Sequence, residues 1–352
     1  MIRQGKYREG MMRGARMESL SQSPSPAPES PRRTGIAWLR GCLWAVCAAG
    51  LVAFLVRLSQ GDRHFYWLYD FDIFWRAGRE LLAGVSPYRV RGFFSPLPLA
   101  VLFAPLALLP LRVAYAVFVL LTLWMLWKAR RGRVGWALLC FPVLFTLFVG
   151  QVDLTLALAA SLLGPLALPL LLAKPQVAFV TVPWMLRHGG WRRLAVGIAA
   201  AAVLLLLCFW LRPGWLARWR AAVPAEQDYA AHDSNLYRLV PPRVQETLVW
   251  VISPVVLAAG VWLRSRRDSW AVLHLFTPIT NVYSAAVLAE WIGPLEVVLS
   301  WAAFLLVRAH VHHGAPMYLV ALAILARRAP DPGSTAPARA WPRWLRARRR
   351  DG

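Results

Sequence analysis

Long apolar runs separated by short basic segments set the pattern of this chain. Residues 36–58 form an apolar stretch long enough for a span of ~20 residues, and no small-residue cleavage site follows, so the stretch predicts a retained transmembrane helix. Further apolar runs at 112–127, 134–149, 194–211, 248–263, 270–287 and 292–307 predict crossings. The run at 152–186 is cut by Gly164, Pro165, Pro169 and Pro175 into pieces that make either one kinked crossing or three. Residues 94–109 carry Pro96, Pro98, Pro105 and Pro110 and are short for a span. They predict a re-entrant or juxtamembrane helix, tolerable only where protein covers its broken backbone. Residues 316–326 are too short to assign. The prediction is an all-α, polytopic membrane helix bundle of about 8 to 10 spans, with no soluble domain and no internal repeat.

Charge orients this pattern. Three short basic segments, KARRGR at 128–133, RHGGWRR at 187–193 and RSRR at 264–267, are all cytoplasmic under the positive-inside rule. The two longest polar connections, 59–93 and 212–246, balance five Arg each against four acids and are placed outside. Both termini then lie in the cytoplasm. Residues 1–35 mix Ser, Pro, Glu and Arg without apolar periodicity and predict a disordered basic tail. Met11, Met12 and Met17 are alternative starts. Residues 36–326 form the transmembrane domain, and 327–352 a second basic cytoplasmic tail.

Composition narrows the class. The 352 residues carry 40 Lys+Arg against 17 Asp+Glu, a formal charge of +23, yet 58% are apolar and 16% charged. Soluble domains run at ~45–50% apolar and ~25% charged, so a soluble domain and a disordered chain are both excluded. Lysine occurs only at Lys6, Lys128 and Lys174, and the arginines cluster in tails and short loops. Such clustering reports membrane orientation rather than nucleic-acid binding. Cys42, Cys47, Cys140 and Cys208 sit in apolar runs without metal-ligand spacing, which argues against a disulfide framework or a zinc site.

Polar groups near the bilayer are expensive, so those outside the basic loops are the informative ones. Asp70 and Asp72 follow the first helix among Phe71, Ile73, Phe74 and Trp75, where an acid can be tuned for general-base work. The alternative is a solvated interfacial loop whose acids pair with Arg76 and Arg79. Lys174 stands inside LLLAKPQVAF, directly before the helix-interrupting Pro175. An ammonium there can meet a lipid-borne phosphate, or it can snorkel from a helix end. GQVD at 150–153 makes a polar turn holding Gln151 and Asp153, and TPITNVY at 277–283 puts polar groups inside an apolar segment. His310, His312 and His313 lack a nearby acid and predict no metal. Asp228, His232 and Asp233 read as a solvated outer loop, the alternative being assistance to an acceptor. Trp210, Trp215 and Trp219 read as interface anchors.

Taken in order, these pieces resemble glycosyltransferase family 87, the bacterial polyprenol-phosphate-mannose-dependent mannosyltransferases of the C-type superfamily. DFDIFWRAGRELLAGVSPY, ending at Tyr88, is similar to the first-loop signature, and FFSPLPLAVLFAPLALLP to the proline-rich block. GQVD, AKPQ (with Lys174 and Gln176) and TPITNVY (with Asn281 and Tyr283) resemble the later motifs. The resemblance implies a C-type fold in the bacterial plasma membrane with an outward-facing site. It implies inverting transfer of a sugar, mannose first, from a polyprenyl-phosphate donor to a lipid or glycan acceptor. Asp70 would be the base and Asp72 a second candidate. Arg76, Tyr88, Gln151, Asp153, Lys174, Gln176, Asn281 and Tyr283 would contact substrate. No cofactor, nucleotide sugar or obligatory metal is implied. Three departures stand out: Ser95-Pro96-Leu97 replaces Tyr-Pro-Pro, Asn281 and Tyr283 stand where Trp and His are common, and the connection between GQVD and AKPQ is short. The competing reading from another class is a non-catalytic polyprenyl-phosphate-binding transporter or assembly subunit. A permease is disfavoured because no inverted repeat is visible and few acids lie inside spans.

Overall fold

The computed structural model describes residues 31–59, 67–227, 236–263, 265–278, 280–308 and 317–327, and among them every regular element is helical. In chain order the helices are α1 (Pro31–Ser59), α2 (Tyr69–Leu82), α3 (Leu97–Ala107), α4 (Leu111–Ala129), α5 (Gly135–Leu139), α6 (Phe141–Val149), α7 (Asp153–Leu163), α8 (Leu168–Leu171), α9 (Pro175–His188), α10 (Trp191–Leu211), α11 (Trp215–Gln227), α12 (Pro242–Trp262), α13 (Arg266–Leu275), α14 (Pro294–Arg308) and α15 (Tyr318–Ala326). Tight 3₁₀ segments at Pro87–Arg89, Gly164–Ala167, Leu236–Leu239 and Ser284–Trp291 complete the helical path among the described residues. The chain divides into two units, 1–42 and 43–352; the described residues of the first are helical, and the second holds the core. The alternative starts, most of the N-terminal tail, the 228–233 acids and histidine, the 310–313 histidines and the tail from 328 lie outside the described residues.

Burial follows the logic of a membrane protein. Three stretches, 111–129, 153–171 and 191–211, are long and apolar enough to cross a membrane. On α10 Val203, Leu206 and Trp210 are open, and only Gly197 and Cys208 are buried. Meanwhile Thr122, Thr146, Asp153, His274, Thr277 and Ser284 are buried. Apolar surface outside and hydrogen-bonded polar groups inside suit a lipid surround; in water so broad an exposed apolar face would drive association.

Several predicted boundaries change. α1 begins at Pro31, five residues before the expected boundary at 36. Proline is pre-organised for a first helical turn, and the following arginines are good helix formers. The predicted first outer loop contains α2, because Phe71, Phe74, Ala77, Gly78 and Leu81 recur at helical spacing and are buried, chiefly against α3. α3 is the short proline-bearing helix expected there. The predicted crossing at 134–149 is two short helices broken at Cys140, two residues before Pro142. The second outer connection holds α11, where Trp215 is buried against Phe209 rather than acting as an interface anchor.

The predicted crossing at 270–287 doubles back, and so does the first part of the run at 152–186, whose alternatives are one kinked crossing or three. A straight helix would separate residues 21 positions apart by about 31 Å. Yet Lys174 Nζ lies 2.5 Å from Asp153 Oδ2, so residues 153–174 return to their starting level. The reversal sits at Gly164, whose φ of 59° and ψ of −136° exclude a side chain. Likewise Arg266, at the start of α13, pairs with Glu290, near the end of the 3₁₀ segment, and the Trp270 and Trp291 rings are 5.3 Å apart. The run at 270–287 is therefore not a straight crossing but a hairpin that turns between Phe276 and Tyr283. Thr277-Pro278 stops α13. Ser284 Oγ then accepts from the Asn281 backbone N–H at 2.9 Å, satisfying one of the freed groups.

The three basic segments do share one end of the bundle. Arg130 donates to the carbonyls of Ala289, Glu290 and Ile292, capping the 3₁₀ segment. Burial lowers the pKa of this guanidinium, and the nearby Glu290 opposes the shift. Arg266 bonds Glu290 and Ser161 and lies over the rings of Trp184, Trp270 and Trp291. Arg187 lies over Trp262, and Arg327 pairs with Glu296, so α14 and α15 run antiparallel.

Candidate functional site

The site forms at the end of α9 opposite these arginines. α9 has 14 residues, so its axis carries Lys174 about 20 Å from Arg187 and His188. Three helices start at the site: α2 with Asp70 in its first turn, α7 with Asp153, and α9 immediately after Lys174. Their N-terminal ends are electropositive and their first N–H groups lack intrahelical acceptors, which favours anions there.

A continuous path of contacts joins four motifs distant in sequence. Gln151 Nε2 donates to Asp70 Oδ2 at 3.1 Å, and Gln151 Oε1 accepts from the Val152 backbone N–H at 3.0 Å. One residue on, Asp153 holds Lys174, whose Nζ stands 5.2 Å from the centre of the Tyr283 ring. Tyr283 Oη accepts from Asn281 Nδ2 at 2.7 Å. Asp70, Gln151, Asp153, Lys174, Tyr283 and Asn281 thus belong to one polar cluster. Asp153 is 1% exposed, and removing one partner of such a buried pair costs about 3–5 kcal/mol.

Local backbone places these groups. Gly150 ends α6 with φ 75°, and a Cβ there would collide with Phe71 Cβ, so glycine is needed both for the turn and for the approach of α2. Phe71 is itself locked among Phe103, Tyr115 and Phe118. Leu68, just before α2, adopts a left-handed φ of 69° and donates its N–H to the Phe148 carbonyl at 3.1 Å. Such a conformation costs a non-glycine residue about 1–3 kcal/mol and is concentrated at functional sites.

The remaining predicted residues separate from the cluster. Asp72 turns to Arg76, 2.9 Å away on the same helix, and the Arg76 side chain is 63% exposed. The solvated-pair reading therefore describes Asp72, while Asp70 faces the protein. Phe71 and Phe74 are core residues, not interface aromatics. Tyr88 packs on Phe93, and burial pushes its phenol pKa up, which keeps it neutral. Gln176 lines a small cleft with Asp153, His274, Thr277, Thr280 and Ser284. Compared with known protein families, curated proteins and solved structures, the chain matches none of them.

Sequence reasoning missed His274. It lies three positions before Thr277 in an apolar run, and its burial beside α7 and α9 shows only once the hairpin folds. The Glu290–Arg266 and Glu296–Arg327 pairs were equally hidden, because each joins segments 24 or more positions apart.

Proposed function

We propose that the protein is an integral-membrane, inverting glycosyltransferase of the C-type, family 87 kind. It moves a sugar, mannose in the first instance, from a polyprenyl-phosphate carrier to a hydroxyl of a lipid or glycan acceptor. The reading is supported above all by the meeting of Asp70, Gln151, Asp153, Lys174 and Tyr283, residues drawn from the motifs that carry the family resemblance. The convergence of the basic segments at the opposite end supports a site facing the extracytoplasmic side of a bacterial plasma membrane. The repeated passage of the chain between the two ends supports a multi-pass topology of about 8 to 10 spans.

In this reading Asp70 takes the proton of the acceptor hydroxyl as its oxygen attacks the anomeric carbon. The bond from that carbon to the phosphate oxygen breaks, and its electron pair leaves with the prenyl phosphate. Gln151 fixes one oxygen of Asp70 and leaves the carboxylate oriented. The helix N-termini at Asp153 and Pro175, together with Lys174, offset the negative charge on the departing phosphate. Lys174 is shared between Asp153 and the phosphate, so its contribution is partial. Asp72, tied to Arg76, plays no part in proton transfer.

The experiment is transfer of radiolabelled sugar from polyprenyl-phosphate-mannose to membrane lipids and glycans, comparing wild type with Asp70→Asn at matched expression. The expected loss is about 10²- to 10⁴-fold. Unchanged transfer by the variant removes Asp70 from the role of base. Carrier binding without product from wild type, across several polyprenyl-phosphate sugars, supports the non-catalytic carrier-binding alternative instead.

A further inference from the structure

The basic end of the bundle holds two kinds of cation. Arg130 is engaged by the carbonyls of Ala289, Glu290 and Ile292, while Arg266, Arg267 and Arg327 hold Glu290, Asp268 and Glu296, the acids described at this end. Lys128, Arg131, Arg133, Arg187, Arg192 and Arg193 instead stand exposed, and none pairs with an acid among the described residues. They come from two turns, one between α4 and α5 and one between α9 and α10. The first is held in shape: Arg131 takes a left-handed φ of 51°, and Arg130 Nε donates to the Arg133 carbonyl at 2.6 Å. Both turns set cations beside open indoles. Lys128 Nζ is 5.4 Å from the centre of the Trp127 ring, Arg187 Cζ 4.9 Å from that of Trp262, and Arg192 Cζ 5.7 Å from that of Trp191. Trp127, Trp191 and Trp262 are 51%, 75% and 72% exposed. The open apolar face of α10 begins at Val196, within one turn of Arg193.

These surroundings select the partner. Cations without acids call for an anion, and guanidinium groups suit phosphate oxygens. A free phosphate or a nucleic acid would neutralise the charge and leave three large indoles and an apolar flank in water. An anionic phospholipid satisfies both, because its phosphate meets the cations while its glycerol and acyl region covers the rings. We propose that the two turns form a seat for anionic phospholipid headgroups of the cytoplasmic leaflet, with the six exposed cations on the phosphates and Trp127, Trp191 and Trp262 at the acyl boundary. The proposal rests on the multi-pass topology and goes beyond the transferase reading, since no residue of the Asp70 cluster takes part. It also differs from a topology signal alone. Orientation needs positive charge only while the chain inserts, whereas a seat discriminates among lipids in the folded protein.

The test is equilibrium binding of fluorescent phosphatidylglycerol to the purified full-length protein in neutral mixed micelles, competed by phosphatidylcholine and by inorganic phosphate. Wild type is compared with the triple variant Arg187→Gln, Arg192→Gln, Arg193→Gln, with the triple variant Lys128→Gln, Arg131→Gln, Arg133→Gln, and with Lys in place of the three arginines at 187, 192 and 193. A control carries Arg89→Gln and Arg91→Gln. Those arginines are exposed near Val85, whose carbonyl accepts from Arg212 at the far end of α10, about 30 Å from Arg192. Each Gln triple is expected to bind phosphatidylglycerol about 10- to 100-fold more weakly than wild type. The Lys triple and the Arg89/Arg91 control are expected to bind it nearly as wild type does. Equal weakening by the control shows that net charge alone attracts the lipid and overturns the seat. Equal affinity of wild type for phosphatidylcholine, or competition by inorganic phosphate as strong as by unlabelled phosphatidylglycerol, overturns the lipid assignment. Thermal melting of each variant reports folding, and if a Gln triple fails to fold, the wild-type lipid preference and the Lys triple decide. Sugar transfer measured in parallel bears on the transferase reading alone.

Discussion

α10 and the hairpin at 266–290 are similar in length and start from similar apolar runs, yet they behave oppositely. α10 is one uninterrupted helix with most of its large side chains open to the surround. The hairpin is broken at its tip, buries Trp270, His274, Thr277 and Ser284, and returns to its own starting level. Lipid can solvate the first because its backbone bonds are satisfied internally; the second needs neighbouring protein for its broken backbone and polar groups. Apolar length alone therefore does not distinguish a crossing from a folded-back arm. Internal polar residues mark the difference, and the folded-back arms supply Asp153, Lys174, Asn281 and Tyr283 to the candidate site, while Asp70 and Gln151 come from α2 and the turn before α7.

The largest expected effect comes from opening the hairpin at its base. Arg266→Ala leaves Glu290 buried beside it and is expected to destabilise the protein by about 3–5 kcal/mol. Replacing both Arg266 and Glu290 by Met is expected to recover most of that loss, measured as resistance to unfolding in mixed micelles. A double variant as unstable as the single one breaks the view that a stranded charge is the cause.

Substitution on α10 sharpens the other side of the comparison. Leu206→Arg places a charge on a face read as lipid-exposed and is expected to cost about 2.5–3.5 kcal/mol of insertion free energy, scored by inserted fraction in a translocon assay. Arginine tolerated there as well as leucine contradicts a lipid-facing α10. The smallest effect is expected at the hairpin tip. Tyr283→Phe removes the bond from Asn281 and should lower stability by about 0.5–1.5 kcal/mol in the same micelle assay.

Much of the helical character was legible in the chain, and so was the need of Asp70, Gln151, Asp153 and Lys174 for partners. An acid or lysine inside an apolar run needs an explanation whatever the fold, so such residues announce themselves. Their pairing was not legible. Nothing near Lys174 in sequence names Asp153 as its partner, and nothing near Asp70 separates it from Asp72. Helix phase decided the latter: two positions apart on α2, the carboxylates point in different directions, one to Gln151 and one to Arg76, a turn further along the helix. His274 passed unnoticed because one histidine in an apolar helix carries no signal until its surroundings are assembled.

By itself the sequence determined that this chain is helical, that its outside is apolar and that its basic segments gather on one side, since all three follow from local composition and the cost of moving charge into lipid. Only the tertiary structure decided which apolar runs turn back, which acid faces inward and which motifs touch. Those outcomes depend on how prolines, glycines and buried ion pairs far apart in the chain are satisfied together, and no local stretch of residues contains that information.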